Sequence, residues 1–582
     1  MKKVLRLPAI VALAVVAACA SPAPSVPSVP TEIPRTGQSS SSSPGQPPSE
    51  ASAAPLADPP TAAHHAVNFR REFAVPPLHN GSGDLAAQIT RGTQVFQRAQ
   101  QLNVDGGTAA AALGNAEDTV SVGRGILPTL LRQPLPKLTF DGTRLSQLSA
   151  LIATAGPAHV TVVSRTLHAD TALTITGENV VVDFAGAVIE VGAEPPVWLI
   201  RLVHAHNVAV TNAKINGGRN GLLVDSGTDI AVEGNDVGGL TENGIVVTGS
   251  SSSLQIHGNH LHGLRRAGIM IHGPVTEALL EGNDIDHLLG HSNWNAGILL
   301  TSRGGDIAAD PDTFFLPDRY WVVTTPLVER LQNPTQNVIM ANTIHEGLSS
   351  GIYNDGAIAN VFLDNRIAGN SKEGICFDNG ATANVFSGNQ VTNNGNRWGQ
   401  SDSDLALDSV LGAGRAPDGT SMAKLPGISV DNALYNEVFA NDVIRNFGGG
   451  VKMVRTGLFN TIGKNVIIDN NLGENTKFHF FGVELGAAPA DKPAGDLDFV
   501  GSSGNIIFGN AIRGRHYSGI FFGSGSVQND VFDNGLFGVD AFALESVSRQ
   551  LNYSMNNLTI SHSRNIPAGI VPMCKPLAPR LW

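Results

Sequence analysis

The chain is poor in cysteine, in aromatic residues and in positive charge. Three cysteines in 582 residues, Cys19, Cys376 and Cys574, are too few for a framework of disulfides. Aromatic residues make up only 6% of the chain, against 65 glycines, which favours a turn-rich, repetitive fold over a bundle of helices. The formal net charge of −12 argues against nucleic acid and against anionic lipid headgroups as partners.

The apolar run near the N-terminus, residues 7–18, is too short to span a bilayer, for which about 20 residues are needed. It follows three basic residues and leads into VAAC at residues 16–19, which is typical of an export signal. This pattern resembles the lipobox of bacterial lipoproteins. The resemblance implies a signal peptide over residues 1–18, a lipidated Cys19 and an exported protein anchored to a membrane of the cell envelope. An ordinary signal peptide cleaved nearby is the alternative.

Two stretches before the main part of the chain differ from it in composition. Residues 19–66 are dominated by Pro, Ser and Ala and predict a disordered tether, because they hold too few large apolar groups to offset the entropy of ordering. Residues 67–159 are irregular, except that DGTRLSQLSALIATAG at 141–156 predicts a short helix that caps the first coil of the fold. Residues 566–582 are predicted to be a C-terminal tail.

Pairs of asparagines separated by four residues recur along the rest of the chain. The pairs are 207/212, 337/342, 360/365, 384/389, 436/441, 460/465, 505/510 and 529/534, with degenerate copies ending at Asn235, Asn259 and Asn283. Successive copies are 23 or 24 residues apart, interrupted by longer steps of 59, 52 and 45 residues. Each period has room for two short alternating β-strands and none for a helix. The repeat therefore predicts a β-solenoid in which the asparagines stack as structural ladders.

The rhythm of the repeat, as in NVFLDNRI followed by KEGICFD, resembles the right-handed parallel β-helix superfamily of pectate-lyase-like proteins. The resemblance implies an all-β solenoid over residues 160–565, with insertions near 302–335, 395–425 and 486–504. It does not identify an activity, because many activities share this scaffold. No motif of a subfamily matches the sequence.

Polar residues collect in the middle repeats when the repeats are superimposed on the Gly-Ile pair that opens one strand. They are Tyr353, Asp355, Asp378, Ser429, Asp431, Lys452 and Glu484, with Arg455 at the edge. Strand alternation points these side chains outward if the isoleucines point inward, so that Asp378 should be exposed. We name Asp355, Asp378, Asp431, Lys452 and Glu484 the charged strip and predict that it is catalytic. An ordinary solvated face is the alternative.

Carboxylates one coil apart have backbones about 4.8 Å apart and must share a proton or bind a cation. Asp355 and Asp378 match the close spacing of the two acids in a retaining glycosidase, whereas Asp355 and Asp431 match the wider spacing of an inverting one. Alternatively, Asp355, Asp378 and Asp431 hold Ca2+, and Lys452 is the base or the charge neutraliser in an elimination from a uronate.

The insertions leave the solenoid beside the charged strip, and long loops in a regular solenoid are usually functional. They bring aromatic side chains, which suit stacking against sugar rings; the alternative is that these side chains pin the loops to the solenoid. The residues predicted to bind substrate are Tyr353, Ser429, Arg455, Trp294, Trp321 and Trp398.

A second cluster is predicted on another face of the solenoid. Three residues after the ladder asparagine, successive repeats carry His262, Asp286 and His345, with His260 and Asp284 beside them. These residue types bind Zn2+ or Cu2+. Scattered surface histidines are the alternative.

These features predict an extracytoplasmic enzyme that acts on a polysaccharide at the periplasmic or the surface face of the envelope. A lyase acting on a uronate-containing glycan is favoured. A glycoside hydrolase with paired aspartates is the first alternative, and a non-catalytic protein that binds glycan or metal is the second. The cofactor predicted for the enzyme is Ca2+, and the membrane is reached through the lipid anchor.

Overall fold

The computed structural model describes residues 109–290, 295–302, 307–309, 332–396, 425–454, 457–472, 480–486, 502–523, 526, 529–540, 542–546, 553–555 and 558–560. Within these residues the chain forms two helices, α1 at Ala109–Arg132 and α2 at Leu145–Ala155, and three sheets of parallel strands. Neither of these two helices is long and apolar enough to cross a membrane.

Each complete coil contributes one strand to each of the three sheets. Sheet 1 contains Lys137–Phe140, Ala158–Val162, Glu178–Asp183, His206–Thr211, Thr228–Glu233, Ser252–His257, Thr276–Glu281, Val338–Met340, Val361–Leu363, Val385–Ser387, Glu437–Phe439, Thr461–Gly463, Ile506–Phe508, Asp530–Phe532 and Tyr553–Met555. Sheet 2 contains Thr166–Ala169, Val188–Val191, Lys214–Asn216, Asp236–Gly238, His260–His262, Asp284–Asp286, Thr343–His345, Arg366–Ala368, Gln390–Thr392, Asp442–Ile444, Val466–Ile468, Ala511–Arg513, Gly535–Phe537 and Leu558–Ile560. Sheet 3 contains Leu173–Ile175, Trp198–Val203, Asn220–Asp225, Ile245–Thr248, Ile269–His272, Ala296–Thr301, Ser350–Asp355, Ile375–Asp378, Ile428–Asp431, Val451–Val454, Phe481–Leu485, Ser518–Phe522 and Phe542–Ser546.

The chain visits sheets 1, 2 and 3 in turn, which confirms the predicted all-β parallel solenoid. Inward side chains stack in register along its axis, as Ile352, Ile375 and Ile428 do, and they form one buried core. The coils on either side of the 59-residue step also stack directly, because Leu279 pairs with Val338. The longer steps are therefore segments inserted between neighbouring coils.

The paired asparagines form two ladders in the turns, and Asn389 shows the bonding pattern. Its Oδ1 accepts hydrogen bonds from the backbone N–H of Asn365 at 2.8 Å and from Asn365 Nδ2 at 2.9 Å. Its own Nδ2 donates to Asn441 Oδ1 on the next coil and to the carbonyl oxygens of Phe362 and Ser387, each at 3.0 Å. Each amide thus satisfies backbone groups of the turn, and all of the amides donate in the same direction.

A third ladder, which the paired pattern does not predict, lies in the turn between sheets 2 and 3. It consists of Asn370, Asn394, Asn446 and Asn470, and its last residue meets His516 in place of asparagine. These asparagines stand five residues after the second member of each pair. The third ladder can therefore be found in the sequence by continuing the five-residue step of the asparagine pairs.

The pair Asn207 and Asn212 was predicted as a ladder pair, and that prediction is wrong. Ala213 occupies the ladder position, because its backbone N–H donates to Asn235 Oδ1 at 2.9 Å. Asn207 Nδ2 instead donates to Asn179 Oδ1 at 2.5 Å. Both asparagines have positive φ, 56° and 57°, a left-handed conformation that asparagine tolerates better than most residues. Both asparagines therefore lie in turns beside the ladders, where their positive φ allows the chain to turn.

Burial lowers the pKa of His516 to about 4, and the charge of Asp469 opposes the shift. The ring sits at the end of the third ladder, where its Nε2 accepts a hydrogen bond from the backbone N–H of Asn470 at 3.1 Å. The unfolded histidine takes up a proton near pH 6.5, whereas the folded one does so only near pH 4, so the unfolded state binds more protons between those values. Stability should therefore fall by about 3 kcal/mol as the pH drops from about 6.5 to about 4.

We expect His516→Asn, which restores the ladder residue, to remove most of this pH dependence. Urea midpoints followed by circular dichroism at about pH 7 and about pH 4.5 measure the effect. His168→Asn, on an exposed position of sheet 2, is the matched control. An equal loss of stability at the lower pH in wild type and in His516→Asn would contradict the assignment.

Helix α2 covers the open end of the first coil, as the sequence predicts. Its buried residues Leu145, Leu148 and Ile152 join the interior core of the solenoid. The helix thereby hides apolar side chains and strand ends that the first coil would otherwise expose.

Helix α1 lies lengthwise on the outer face of sheet 1, where the sequence pattern does not predict a helix. It packs on one residue from each of three successive coils, Val181, Ala209 and Ala231. Gly123 lies so close to Leu279 that an added Cβ would come within 2.7 Å of the leucine Cβ. Because the helix covers this face, the outward positions of these strands are apolar, whereas a strand with one face in water has polar residues there.

Candidate functional site

The charged strip is aligned in the structure as the repeat predicts. Asp355 and Asp378 are direct partners on adjacent strands of sheet 3. Ser429 pairs with Lys452, and Lys452 pairs with Glu484. The strip therefore consists of two outward columns, one of aspartates and one that contains the lysine and the glutamate.

The three aspartates are buried, which corrects the expectation of an exposed Asp378. Asp355 and Asp431 have no exposed surface, and Asp378 is 1% exposed. The outer face of sheet 3 is covered at this level, since Ile307 and Tyr353 belong to a buried apolar cluster on that face. In such surroundings each carboxylate depends on hydrogen bonds from neighbouring groups.

Neutral donors hold both acids of the adjacent pair. Thr301 Oγ1 donates to Asp355 Oδ2 at 2.6 Å, and Asn379 Nδ2 donates to Asp355 Oδ1 at 2.5 Å. Tyr353 Oη donates to Asp378 Oδ2 at 3.1 Å, and the backbone N–H of Asn379 donates to Asp378 Oδ1 at 2.7 Å. Every oxygen of the two carboxyl groups thus has a donor, and Asn379 connects the two acids.

Two residues predicted to bind substrate are buried beside the acids. Tyr353 is 1% exposed and its hydroxyl is bonded to Asp378, so it is placed to orient that acid. Ser429 is 4% exposed. The other predicted substrate contacts, Arg455, Trp294, Trp321 and Trp398, lie outside the described residues, as does Cys19.

Lys452 forms an ion pair with Glu484 at the edge of the strip. Its Nζ lies 3.2 Å from Glu484 Oε2, and 35% of the lysine side chain is exposed. To act as a base, Lys452 would have to leave this ion pair and lose its proton.

Asp355, Asp378 and Asp431 are the residues predicted to hold Ca2+. Calcium takes about six to eight oxygen ligands. The oxygens of Asp355, Asp378 and Asp431 are not among the groups of converging ligand atoms in the described part of the chain. Hydrogen-bond donors already occupy the oxygens of Asp355 and Asp378. Calcium binding by these aspartates stays a prediction.

A second polar cluster lies on the outer face of sheet 2, and we name it the histidine cluster. Its members are Asp236, His260, His262, Asp284, Asp286 and His345. His260 Nδ1 and His262 Nε2 each lie 3.2 Å from Asp236 Oδ1, and the two rings stack with centroids 4.6 Å apart. Gly238 leaves room for this arrangement, since an added Cβ would lie 2.1 Å from His262 Cε1.

The other half of the histidine cluster contains the carboxylates of the next coil. His260 Nε2 lies 3.3 Å from Asp286 Oδ2. His345 Nε2 lies 3.3 Å from Asp284 Oδ1 and 4.0 Å from Asp286 Oδ2. The sequence predicts His262 as the partner of Asp286 because the two are in register. In the structure His260 reaches diagonally to Asp286, and His262 turns towards Asp236.

The charges of this cluster are coupled. Burial opposes ionisation of Asp286, but hydrogen bonds with His287 and His260 outweigh it and hold the pKa of this carboxyl below its ordinary value. The hydrogen bond to Asp286 raises the pKa of His287, and the charges of Asp286 and Glu346 add to the effect. The hydrogen bond between Asp286 and His287, at the edge of the cluster, thus stabilises the charged form of both groups.

The family model described as a right handed beta helix region matches residues 198–314 and 330–408. The three parallel sheets, each taking one strand per coil, have the same architecture. The fold is a right-handed parallel β-helix.

Solved structures similar to this β-helix share little sequence with it. The A-module of the mannuronan C-5 epimerase AlgE6 from Azotobacter vinelandii is 12% identical with a TM-score of 0.44, over 73% of this chain and 100% of that chain. The catalytic unit of a GH87 α-1,3-glucanase from Streptomyces thermodiastaticus is 13% identical with a TM-score of 0.41, over 74% of this chain and 71% of that chain. The periplasmic alginate epimerase AlgG is 12% identical with a TM-score of 0.36, over 73% of this chain and 86% of that chain. No protein of curated function matches the sequence significantly.

Asn379 is a residue of the β-helix site that the sequence analysis missed. It follows Asp378 directly, and the same Asp-Asn dipeptide recurs one coil later at Asp431 and Asn432. Both asparagines have positive φ, 55° and 43°, which lets the chain turn directly after the acid. The repeated dipeptide is the signal from which this partner of Asp355 can be found.

Proposed function

We propose that this β-helix is an exported enzyme that cleaves a polysaccharide, with Asp355 and Asp378 as its two reacting carboxyl groups. The observation that carries the proposal is their direct pairing on adjacent strands, whose backbones lie about 4.8 Å apart. Carboxyl groups about 5–5.5 Å apart are the arrangement of retaining glycoside hydrolases. The pairing therefore favours hydrolysis with retention of configuration.

In this reaction one carboxylic acid protonates the glycosidic oxygen as the leaving sugar departs, and the other carboxylate attacks the anomeric carbon. Water then cleaves the glycosyl ester, and the first group takes up the proton of that water. Tyr353 orients Asp378, while Thr301 and Asn379 orient Asp355, so both acids are held in place before substrate arrives. Because the acids are buried, substrate reaches them only when the groups that cover the outer face of sheet 3 move aside.

A lyase acting on a uronate is the second candidate, and Lys452 is the observation that favours it. The lysine lies on the same outward face and is partly exposed. Released from Glu484 and deprotonated, it would remove the proton from the carbon next to the uronate carboxyl group. A double bond then forms between that carbon and the next one as the glycosidic bond breaks, and the leaving oxygen takes up a proton from water. The net charge of −12 opposes a polyanionic substrate, which places hydrolysis first.

Incubation of the full-length protein with neutral glycans and with uronate polymers separates the candidates. Hydrolysis releases reducing ends without the ultraviolet absorbance of an unsaturated uronate, whereas elimination produces both signals. Parallel reactions with and without a calcium chelator test the predicted Ca2+. If no polymer is cleaved and Asp378→Asn binds each polymer as wild type does, the enzyme proposal is wrong.

We also propose that export ends in lipid anchoring at Cys19, on the basis of the VAAC sequence. In cells of a bacterium that acylates lipoproteins, the wild-type protein should incorporate alkyne-tagged palmitate. Cys19→Ala should abolish the labelling, and Cys574→Ala should leave it unchanged. Equal labelling of wild type and Cys19→Ala would contradict anchoring at this cysteine.

A further inference from the structure

We propose that the histidine cluster binds one zinc ion through His260 Nε2, Asp284, Asp286 and His345 Nε2. These residues come from three successive strands of sheet 2, His260–His262, Asp284–Asp286 and Thr343–His345. They lie on a different sheet from the charged strip. The proposal therefore does not depend on the enzymatic function proposed above.

Two distances between the ligand atoms equal those around a tetrahedral zinc ion. Zinc bonds of about 2.0–2.1 Å place the ligand atoms of a tetrahedron about 3.3 Å apart. His260 Nε2 and Asp286 Oδ2 are 3.3 Å apart, as are His345 Nε2 and Asp284 Oδ1. His345 Nε2 and Asp286 Oδ2 are 4.0 Å apart. The ligand atoms of His260, Asp284 and Asp286 lie within 4.8 Å of one another. His345 is not part of that converging group, so its ring has to rotate towards the other three ligands to complete the set.

Neighbouring groups hold two of the ligands in the orientation that a metal site needs. A histidine that binds zinc through one ring nitrogen usually donates its other N–H to a carboxylate or carbonyl. His260 Nδ1 lies 3.2 Å from Asp236 Oδ1, which leaves Nε2 facing Asp286. His287 Nδ1 lies 2.9 Å from Asp286 Oδ1, opposite the oxygen that faces His260. His260 and His262 thus differ in their Nε2 atoms, since that of His260 faces Asp286 and that of His262 faces Asp236.

The donor set and its exposure favour zinc over calcium. Two imidazole nitrogens and two carboxylates suit zinc, whereas calcium prefers a shell made of oxygens alone. The side chains of His260, Asp284 and His345 are 44%, 52% and 30% exposed, so an ion reaches them from solvent. The strands beneath are fixed by the inward residues Leu261 and Ile344, which are fully buried.

Such an ion would join two coils that are neighbours in space but distant in sequence. Asp286 pairs with His345 in the sheet although 59 residues separate them, because the first insertion lies between them. Zinc would therefore cross-link the coils on either side of that insertion. We expect zinc to raise the unfolding temperature of the protein.

Isothermal titration of the chelator-treated full-length protein with zinc chloride tests the site. We expect binding of one zinc ion and no matching binding of calcium chloride. His260→Gln and Asp286→Asn should weaken zinc binding by more than about 100-fold, and Asp236→Asn by about 10- to 100-fold. His262→Gln and the distant His168→Gln should change it by less than about threefold.

Two results would overturn the proposal. Absence of saturable zinc binding to the wild type is one. The other is an equal loss of affinity in His262→Gln and His260→Gln, which would place the ion between Asp236, His260 and His262. Thermal unfolding in the presence of chelator shows that each variant is folded. Added zinc should then raise the unfolding temperature of wild type and of His262→Gln, but not that of Asp286→Asn.

Discussion

Asp378→Asn should lower kcat/KM on the polysaccharide that the protein cleaves by about 100- to 10,000-fold, with KM little changed. The asparagine has nearly the same shape, and its one oxygen still accepts a hydrogen bond from Tyr353 or from the backbone N–H of Asn379. It neither gives nor takes a proton at neutral pH, and it does not attack an anomeric carbon. The loss should therefore appear in the chemical step rather than in binding.

Asp225→Asn is the matched control for this prediction. Asp225 lies in the same outward column of sheet 3, in register with Thr248, but its neighbours in that column are not acids. We expect its activity to equal that of wild type. Tyr353→Phe, which removes a hydrogen bond to Asp378, should shift the pH profile of kcat, because Tyr353 acts through that acid. Wild-type activity in Asp378→Asn, with an unchanged unfolding temperature, would exclude the aspartate pair as the reacting groups.

Asn389→Asp should destabilise the β-helix by about 3–5 kcal/mol at neutral pH. The amide is fully buried, and its Nδ2 donates to three oxygens, those of Phe362, Ser387 and Asn441. A carboxylate in its place faces those oxygens without a hydrogen to share, so it adds charge repulsion to a buried charge without a partner.

Asn393→Asp makes the same chemical change four residues away at an exposed position. Asn393 has a φ of 56°, which aspartate tolerates, and we expect a change within about 0.5 kcal/mol. Urea midpoints of both variants against wild type, followed by circular dichroism, measure the difference. Similar midpoints for Asn389→Asp and Asn393→Asp would show that the ladder contributes little to stability.

The repeat and its ladders could be predicted from the sequence because they depend on contacts between equivalent residues. The side chains of Asn384 and Asn389 contact asparagines at the same position of neighbouring coils, so the 23–24-residue period reveals the ladder. The pairing of Asp355 with Asp378 followed from the same period. In a solenoid each strand pairs with the equivalent strand of the next repeat, so the repeat period predicts which residues are paired.

The burial of the acids could not be predicted in this way, because it depends on segments outside the repeat. Alternation shows that Asp378 points outward, but not that residues such as Ile307 cover the face to which it points. The same limit applies to helix α1 on sheet 1. The signal that was available is a run of three apolar residues, as in Val180–Val182 or Val208–Val210, where an exposed strand face would place a polar residue in the middle.

The diagonal contacts of the histidine cluster were also beyond the sequence pattern. Register places His262 beside Asp286, but an imidazole is long enough to reach the next position of the adjacent strand. The structure shows His260 making that contact, while His262 lies over Gly238. Residue types and approximate location could be predicted, and the choice between two histidines on one strand could not.

The one-directional bonding of the ladders has a consequence for the length of the molecule. Asn360 donates to Asn384, which in turn donates to Asn436, and each bond is of the same kind. Removal of the 24 residues from 361 to 384 would join Asn360 to Val385, a neighbour equivalent to the Val361 it has now. Each remaining amide in the interior of these ladders would find an amide of the same type above and below. The chemistry of the ladders thus fixes what a coil contains but leaves the number of coils open.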